Sequence, residues 1–454
     1  MKKAVVILGA GASCEFIKTG GECLSTSYLT DSLYSKENWT AVIQKYGTRN
    51  AHFGRGIFNC DLDNIHISDV TKALELIRTL LKSGSRPGYS EIDDFEHTIH
   101  LLDRISVIVW ADKSPVEVGL EGLLPYCFGK NFFDKCLLAE SDTDGWLYVP
   151  FLAREIVASA IIDLWKRRED KEKSLSSFGK LLLSIHDSFE ETNIFSFNYD
   201  PLLYESIKHT PYLERQSGFS TNGFDAERFL NTSKGIMAFV HGCIGFIPEA
   251  EKMRFCEDWA EAQDSRFRNL KLTTPYQTSA FAQGQKGMQA NTYLVTGLDK
   301  IDAFSAQPFS SYMFRFARDI EEADVIFIIG YSLRDSHIDH LLSNIRYLAY
   351  KRTRNFIFVT HASETDIANQ FDSIISYNQG IVQRIVQKLD NKFSSNESTG
   401  VKNASVLHKK KIRSSLVENG YTQLFDNVTL FNEGTKKFIE KYDEVMKSIS
   451  TKSK

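Results

Sequence analysis

Cysteine and proline are scarce in this 454-residue chain, which has seven Cys and nine Pro. The cysteines are scattered without a single C-x-x-C pair, so their spacing indicates neither a disulfide framework nor a zinc knuckle. Without such a framework, a reducing cytoplasm is the simplest compartment to expect. The cysteines are Cys14, Cys23, Cys60, Cys127, Cys136, Cys243 and Cys256.

Long apolar runs and an excess of one charge are missing as well. No apolar run reaches the about 18 residues that a membrane-spanning helix needs. Met1 and two lysines lead directly into an apolar strand, which predicts no signal peptide and no membrane partner. The chain has 54 Lys and Arg against 58 Asp and Glu, a net charge of -4, so we expect no direct nucleic-acid binding.

What the chain does have is a series of five short apolar runs, which are typical of buried parallel strands. Small or polar residues follow each run, and in open α/β sheets ligands bind beyond the carboxyl ends of the strands. We therefore predict an α/β fold with a Rossmann-like parallel sheet and a site at this edge. The runs are Val5–Leu8, Asn193–Phe197, Ile236–Val240, Val325–Ile329 and Phe356–Val359.

Segments between the runs predict helices: the apolar residues of Val70–Lys82 recur with a 3.6-residue period, and Asp93–Trp110 begins with acids suited to a helix N-terminus. They place a helical insertion at about residues 65–190 of a domain that covers residues 1–365. The predicted helices are Val70–Lys82, Asp93–Trp110, Phe151–Trp165, Leu175–Ile185 and Ser336–Tyr350.

Two regions depart from this alternation. Cys243–Phe304 is polar and irregular, which indicates an insertion or lid over the sheet. Residues 366–454 are predicted to be a small C-terminal extension, in which the polar Lys388–Ser415 forms a linker or mobile loop. Within it, Leu424–Phe431 is predicted as one strand and Glu433–Ser448 as a terminal helix.

The first strand runs into Gly9-Ala10-Gly11-Ala12-Ser13. Glycines allow a tight turn, and free N–H groups at the start of a helix attract phosphate. Cys14 stands where the third glycine of G-x-G-x-x-G would fall, and Asp31, about 20 residues on, lies in a Ser/Thr/Tyr-rich segment and not at a strand end. The loop thus predicts a phosphate site unlike that of an ordinary dehydrogenase.

Three further strand ends carry motifs which, in order with the glycine loop, resemble the sirtuin fold. FNYDPLL from Phe197 is similar to the sirtuin Asn-x-Asp-x-Leu segment, and His241-Gly242 stands in the position of the sirtuin catalytic histidine. GYSLRDSHI from Gly330 is very like the GYS-x-x-D-x-H-I segment of sirtuin-like NAD⁺-consuming proteins of bacterial antiphage defence, the zinc-less group. The resemblance covers residues 1–365.

This resemblance implies an NAD⁺ glycohydrolase that cleaves NAD⁺ to nicotinamide and ADP-ribose and so depletes NAD⁺ in antiphage defence. It also implies a homo-oligomer and a partner that senses the phage, such as a HerA-type ATPase. Deacylating sirtuins carry four zinc cysteines after the His-Gly motif, where this chain has only Cys243 and Cys256. A Cys₄ zinc site cannot be built from two cysteines, so no zinc is expected.

Asn198, His241 and Asp200 are the candidate catalytic residues. The Asn198 amide both donates and accepts hydrogen bonds, which suits ribose hydroxyls or an attacking water. His241 suits a general base near neutral pH, and Asp200 would hold Asn198, the ribose or the nicotinamide amide. Each has a structural alternative: Asn198 as a turn cap, Asp200 as the cap of a helix from Pro201, and His241 as a core residue.

A second group of residues is predicted to bind the nucleotide. The glycine loop would cradle the pyrophosphate through its backbone N–H groups, and the turn after Ile329 would reach the ribose or phosphate. For Gly330 the alternative is a sharp turn that needs glycine, and Asp335 and His337 are interpreted as helix-start residues. The candidate residues are Gly9, Ala10, Gly11, Ser13, Gly330 and Ser332.

Two other functions fit parts of this pattern. A protein deacylase would use the same nucleotide site, but it lacks support because the zinc cysteines are missing. A non-catalytic, nucleotide-binding assembly subunit for a partner ATPase would not need both Asn198 and His241. NAD⁺ hydrolysis is the function that uses all four motifs.

Overall fold

The computed structural model describes the strands, their flanking helices and most of the strand ends. It covers residues 3–51, 67–83, 95–111, 149–169, 171–208, 217–232, 235–249, 252–270, 293–296, 304, 306–331, 335, 338, 341–342, 354–361, 420–425 and 428–450. Ser332, His337, the predicted loop Lys388–Ser415 and most of the predicted helix Ser336–Tyr350 lie outside these residues.

The strands range from two to six residues in length. They are β1 (Lys3–Leu8), β2 (Lys18–Thr19), β3 (Glu22–Cys23), β4 (Glu191–Ser196), β5 (Phe219–Ser220), β6 (Gly223–Phe224), β7 (Met237–Phe239), β8 (Phe246–Pro248), β9 (Met253–Phe255), β10 (Val325–Ile329), β11 (Asn355–Val359), β12 (Tyr421–Phe425) and β13 (Val428–Phe431). The central sheet has the order β12-β13-β11-β10-β1-β4-β7. Its six strands from β13 to β7 are parallel, and β12 adds an antiparallel edge.

This sheet confirms the predicted Rossmann-like parallel architecture. All five predicted strands are present, with ends that shift by at most two residues. Every residue of β1 and β10 is buried, which is why both read as continuous apolar runs and not as alternating patterns.

The C-terminal segment differs from its prediction as a single strand. Leu424–Phe431 is divided between β12 and β13, which pair antiparallel as two strands. Asp426-Asn427, between them, are residue types common in tight turns, and the apolar run masked this signal. Because β13 also pairs with β11, both described strands of the predicted extension 366–454 belong to the central sheet.

Helices flank the sheet and form a further layer beside it. They are α1 (Ala10–Cys14), α2 (Thr26–Tyr34), α3 (Lys36–Ala51), α4 (Ile67–Ser83), α5 (Phe95–Ala111), α6 (Val149–Arg167), α7 (Lys171–Ser188), α8 (Leu202–Ile207), α9 (Ala226–Asn231), α10 (Trp259–Leu270), α11 (Phe309–Glu322) and α12 (Gly434–Ser450). Helix α6 contacts α2, α3, α5 and α10, so it forms the centre of the helical layer.

Two aromatic residues show that the sheet is covered on both faces. Phe195 on β4 lies level with Ile328 on β10, one residue beyond Phe327. Since successive side chains of a strand point to opposite faces, Phe195 and Phe327 face opposite sides. Phe195 packs on Phe316 of α11, whereas Phe327 packs on Phe189 and on Tyr442 of α12.

Helix α12 is joined to the glycine loop through Glu15. The two carboxylate oxygens of Glu15 accept the N–H groups of Thr435 and Lys436, at 2.6 and 2.9 Å. A carboxylate stabilises the free N–H groups and the positive end of a helix dipole. The end of α1 therefore fixes the start of the last described helix.

The region predicted as irregular, Cys243–Phe304, contains regular structure in its described parts. Strands β8 and β9 form an antiparallel pair, and α10 packs against β8. The strands have only three residues each, too few for their alternation to stand out in the sequence. Among the described helices, none combines the length and apolar composition that a bilayer crossing requires.

Candidate functional site

The strand order brings the four predicted motifs to one edge of the sheet. The chain passes from β1 through β4 to β7 on one side, then returns to β10 on the other side of β1. Ligands of open α/β sheets bind where the strand order reverses in this way, beyond the carboxyl ends. The turns after β1 and β10 flank this point, and the polar residues after β4 and β7 lie on the same edge.

The turns after β1 and β10 are packed backbone to backbone. Gly11 N–H donates to the Gly330 carbonyl and Gly9 N–H to that of Ile329, both at 2.9 Å. Gly330 has φ +64°, and a Cβ at this position would lie 2.0 Å from the nitrogen of Ala12. The structural role weighed for Gly330 is therefore present, and its contact with a nucleotide stays a prediction.

The glycine loop offers fewer free N–H groups than its sequence indicates. The N–H groups of Gly9 and Gly11 are already bonded to the turn after β10. The N–H of Ala12 is occupied too, because it donates to the Gly9 carbonyl at 2.9 Å. Ala10 and Gly11 are exposed, whereas Ser13 is buried. Of the predicted pyrophosphate cradle, the turn at Ala10 and Gly11 is the part that a ligand can reach directly.

Asn198 is held against this loop by its side chain. Its Nδ2 donates to the Gly9 carbonyl at 2.9 Å and to Ser13 Oγ at 2.8 Å, and the residue is 7% exposed. Both amide hydrogens are committed to the protein, since a primary amide has two. What Asn198 can offer a ligand is its carbonyl oxygen, which accepts a hydrogen bond from a ribose hydroxyl or a water.

Asp200 contacts both the start of α8 and the glycine loop, and its predicted catalytic role stays a prediction. Its Oδ1 accepts the N–H of Leu202 at 2.9 Å at the start of α8, and the Ser13 hydroxyl donates to its carboxylate. Burial raises the pKa of the Asp200 carboxyl, and these two hydrogen bonds offset the effect only in part. Ser13 thus links Asn198 to Asp200 in one chain of hydrogen bonds.

His241 follows β7 and is 2% exposed, within a group of aromatic rings. Phe197 meets the imidazole edge-on with centroids 5.0 Å apart, while Tyr199 and Phe304 stack on it at 6.3 and 6.4 Å. Phe197 and Tyr199 are the two sequence neighbours of Asn198, so the imidazole lies beside the Asn198 turn. The structure therefore places the imidazole against the two neighbours of Asn198, while the Asn198 side chain contacts the glycine loop.

A short segment beyond α10 supports the His241 turn. Val295 N–H donates to the His241 carbonyl at 2.8 Å, and Leu294 forms a bridge with Gly242. Gly242 has φ +88°, and a Cβ there would lie 2.0 Å from the carbonyl oxygen of Tyr293. This close approach explains why glycine follows the histidine.

Two residues of this site were missed as functional candidates. The Tyr199 hydroxyl lies 2.8 Å from Glu96 Oε1 and 3.0 Å from the Val295 carbonyl oxygen. Tyr199 stands within the FNYDPLL motif, and Glu96 stands near the start of the predicted helix Asp93–Trp110. The signal for each was present, but nothing in the sequence indicates that they meet.

Two buried ion pairs on α6 lie behind the His241 turn. Arg154 forms a bidentate pair with Asp103 of α5, and Glu155 pairs with Arg266 of α10 at 2.6 Å. The Arg266 guanidinium lies 4.0 Å from the centre of the Tyr293 ring. Sequence analysis gives no hint of these pairs, because each joins residues of different helices.

The cysteines correct one sequence prediction. Cys14 and Cys23 form a disulfide with a Cα–Cα distance of 5.1 Å, although their spacing indicates none. The turn at Gly20 and Gly21 lets β3 return to the end of α1, and no spacing rule captures that path. Burial raises the pKa of the Cys243 thiol to about 12. In the described ranges, no group of three or more His, Cys, Asp or Glu side chains could hold a metal.

Comparison of the chain with models of protein families gives no match, and comparison with curated proteins gives none either.

Proposed function

We propose that the protein is an NAD⁺ glycohydrolase that cleaves NAD⁺ to nicotinamide and ADP-ribose. The observation that carries this proposal is the contact of Asn198 with Gly9 and Ser13. It joins a polar group suited to ribose to a glycine loop suited to phosphate, at the switch point of a parallel sheet. A dinucleotide presents a ribose beside a pyrophosphate, which matches this arrangement.

The reaction requires that the bond between ribose C1′ and the nicotinamide nitrogen breaks. Its electron pair moves to the pyridinium ring, which leaves as neutral nicotinamide, while C1′ becomes electron-poor. The Asn198 carbonyl oxygen accepts a hydrogen bond from a ribose hydroxyl or from the attacking water. Water then adds its oxygen to C1′, and its proton goes to His241 as general base.

The aromatic rings around His241 serve this chemistry by limiting water. A partly closed, apolar site strengthens the electrostatic interactions that stabilise the developing charge at C1′. Asp200 acts through Ser13, which it holds in contact with Asn198. In this proposal Asp200 is a positioning residue, because the described contacts join it to the protein.

The biological role proposed with this activity is depletion of NAD⁺ during phage infection. The support is the order of the four motifs, which resembles that of sirtuin-like defence proteins. Assembly into a homo-oligomer and control by a phage-sensing partner, such as a HerA-type ATPase, belong to the same proposal. We place the protein in the cytoplasm on the same basis.

The test is release of nicotinamide from NAD⁺ by the purified chain, beside Asn198→Ala and His241→Ala. General acid–base catalysis contributes about 10²- to 10⁴-fold, so we expect His241→Ala to lose activity within that range. His361→Ala is the matched control, since His361 follows β11 on the same edge but is exposed. It should hydrolyse NAD⁺ at the wild-type rate.

The proposal also predicts that the protein binds NAD⁺. A protein that binds NAD⁺ without hydrolysing it is an inactive enzyme, whereas one that does neither is not an NAD⁺ glycohydrolase. Binding is measured by calorimetry with the wild type and with Asn198→Ala. Failure of the wild type both to bind and to hydrolyse NAD⁺ would contradict the proposal, and equal rates in wild type and His241→Ala would remove the histidine from the mechanism.

A further inference from the structure

Tyr199 and Glu96 form a contact between the His241 turn and helix α5. The hydroxyl of Tyr199 lies 2.8 Å from Glu96 Oε1 in the first turn of α5. The same hydroxyl lies 3.0 Å from the Val295 carbonyl oxygen. A phenol has one hydrogen to donate, so Tyr199 serves these two acceptors in turn and remains between them.

The Tyr199 ring in turn faces the imidazole of His241. The two rings are stacked with an interplanar angle of 28° and centroids 6.3 Å apart. Phe197, on the other side of Asn198, meets the imidazole edge-on. The imidazole therefore has the ring of Tyr199 as one wall, and the hydroxyl at the far end of that ring is held by Glu96 and the Val295 carbonyl.

Backbone hydrogen bonds connect the same residues a second time. Val295 N–H donates to the His241 carbonyl at 2.8 Å, and Ile244 N–H donates to that of Tyr199 at 3.0 Å. Tyr199, His241 and the segment around Val295 are thus joined by backbone hydrogen bonds as well as by ring contacts. Helix α5 meets this group of residues twice: Glu96 through the hydrogen bond from the Tyr199 hydroxyl, and Phe95 through an edge contact with the Tyr199 ring at 6.0 Å.

We propose that Tyr199 and Glu96 are positioning residues that fix the His241 imidazole for proton transfer. The inference rests on the proposed function for its kinetic part. Neither residue needs to touch NAD⁺. A general base misplaced by a fraction of an ångström loses rate while substrate binding persists, so kcat should change and KM should not.

The kinetic test uses Tyr199→Phe, which keeps the ring and removes the hydroxyl, and Glu96→Ala, which removes the acceptor. We expect each to lower kcat roughly 10- to 100-fold with KM unchanged. Glu96→Gln retains an acceptor oxygen and should restore most of the rate. The double variant should be no slower than either single variant, because both break the same contact.

Tyr442→Phe is the control for loss of a buried tyrosine hydroxyl. Tyr442 is 4% exposed, and its hydroxyl lies 3.1 Å from Ser188 Oγ on α7. This variant should keep the wild-type kcat. A general loss of stability would lower activity in both tyrosine variants alike, whereas a positioning role affects Tyr199 alone.

A second readout is independent of hydrolysis. Selective ¹³C labelling of histidine gives imidazole cross-peaks, of which that of His241 is identified by its absence in His241→Ala. It should move in Tyr199→Phe and Glu96→Ala, and stay in place in Glu96→Gln and Tyr442→Phe. Ring currents make this signal sensitive to the stacking geometry.

The outcomes separate the two proposals. A wild type that neither binds nor hydrolyses NAD⁺ overturns the proposed function, and in any wild type without hydrolysis the cross-peaks alone decide the positioning role. An unmoved His241 cross-peak in both Tyr199→Phe and Glu96→Ala overturns the positioning role. In an active enzyme it is also overturned if kcat stays at the wild-type value.

Discussion

The two ends of the central sheet are built from different chemistry. At the amino end, Lys3 Nζ lies 2.9 Å from Asp319, 2.8 Å from Glu322 and 3.2 Å from Glu191. Arg315 and Asn193 complete this cluster by donating to Asp319 at 2.8 Å. At the carboxyl end Asn198, Ser13 and Asp200 are joined by amide and hydroxyl hydrogen bonds, and Asp200 has no cationic partner among the described residues.

The difference indicates that the polar residues at the amino end stabilise the fold, whereas those at the carboxyl end are arranged for function. The amino end pairs its buried charges with one another, and Asp319 is the fully buried carboxylate that Lys3 and Arg315 share, so removing it weakens the compensation of two cations at once. Burial lowers the pKa of the Lys3 ammonium, but the carboxylates of Glu322 and Asp319 outweigh this effect and raise it overall. The carboxyl end keeps a carboxylate whose burial is only partly compensated, which is common where a site is shaped for function.

Asp319→Asn should cause the largest loss of stability. Asp319 is fully buried between Lys3 and Arg315, so its loss leaves two cations without their shared carboxylate. We expect the free energy of unfolding, measured with urea, to fall by roughly 3–5 kcal/mol. The rate of NAD⁺ hydrolysis per folded molecule should stay unchanged. Glu322→Gln is the control, because the Glu322 side chain is 53% exposed and an exposed pair contributes about 0–1 kcal/mol. If Asp319→Asn lost less stability than Glu322→Gln, the proposed difference between the two ends of the sheet would be wrong.

Gly330→Ala should have an intermediate effect and act on both properties. The new Cβ would lie 2.0 Å from Ala12 N at φ +64°, so the glycine loop must shift. Strain of this kind costs roughly 1–3 kcal/mol, and we expect hydrolysis to fall with it. In Gly20→Ala, at φ +55° with nothing within 4 Å of the new atom, only the backbone cost of about 1–2 kcal/mol remains. Equal activity in the two variants would show that the loop position is unimportant.

Asp200→Asn should have the smallest effect on stability, and its sign depends on pH. Burial raises the pKa of Asp200 in the folded state, so the folded chain retains a proton that the unfolded chain has released. Wild-type stability therefore falls as pH rises from the ordinary carboxyl range through the raised pKa. The variant cannot titrate, and its stability relative to wild type should improve across this window and then stay constant.

Urea unfolding over a pH series measures this gain. Asp225→Asn is the matched control, because Asp225 Oδ1 also accepts one backbone N–H, from Arg228 at 2.9 Å, but the residue is exposed. A pH-independent difference between Asp200→Asn and the wild type would contradict the role of burial. The rate of NAD⁺ hydrolysis should fall in Asp200→Asn even where its stability improves, because Ser13 loses its charged acceptor.

Much of the sheet could be predicted because parallel strands are buried on both faces and appear as uniform apolar runs. The order of the runs then placed Asn198, His241 and the glycines on one edge. Strands β8 and β9 and the division of β12 from β13 were missed, since strands of three to five residues carry little periodicity. Their pairing depends on partners far away in the chain.

The contacts within the site could not be predicted from the sequence, because they too depend on residues far apart in the chain. Sequence order predicts that Gly9 and Asn198 share an edge, but not that Asn198 commits both amide hydrogens to the loop. The phosphate cradle was predicted from glycines alone, and the Gly330 turn that occupies their N–H groups lies over 300 residues away. The Cys14–Cys23 bridge and the Tyr199–Glu96 contact likewise depend on where turns and helices pack.

The contact of Glu15 with the start of α12 can form only late in the synthesis of the protein. Glu15 and Thr435 are 420 residues apart, a stretch that a ribosome takes roughly 20–80 s to make. Strand β1 likewise cannot pair with β10 until that strand has been made. Lys3 N–H, for example, donates to the side chain of Asp324, which lies 321 residues later and just before β10. The glycine loop thus gains its final surroundings only when the last described helix has emerged, and a nascent chain carries the edge of the sheet without its completed site.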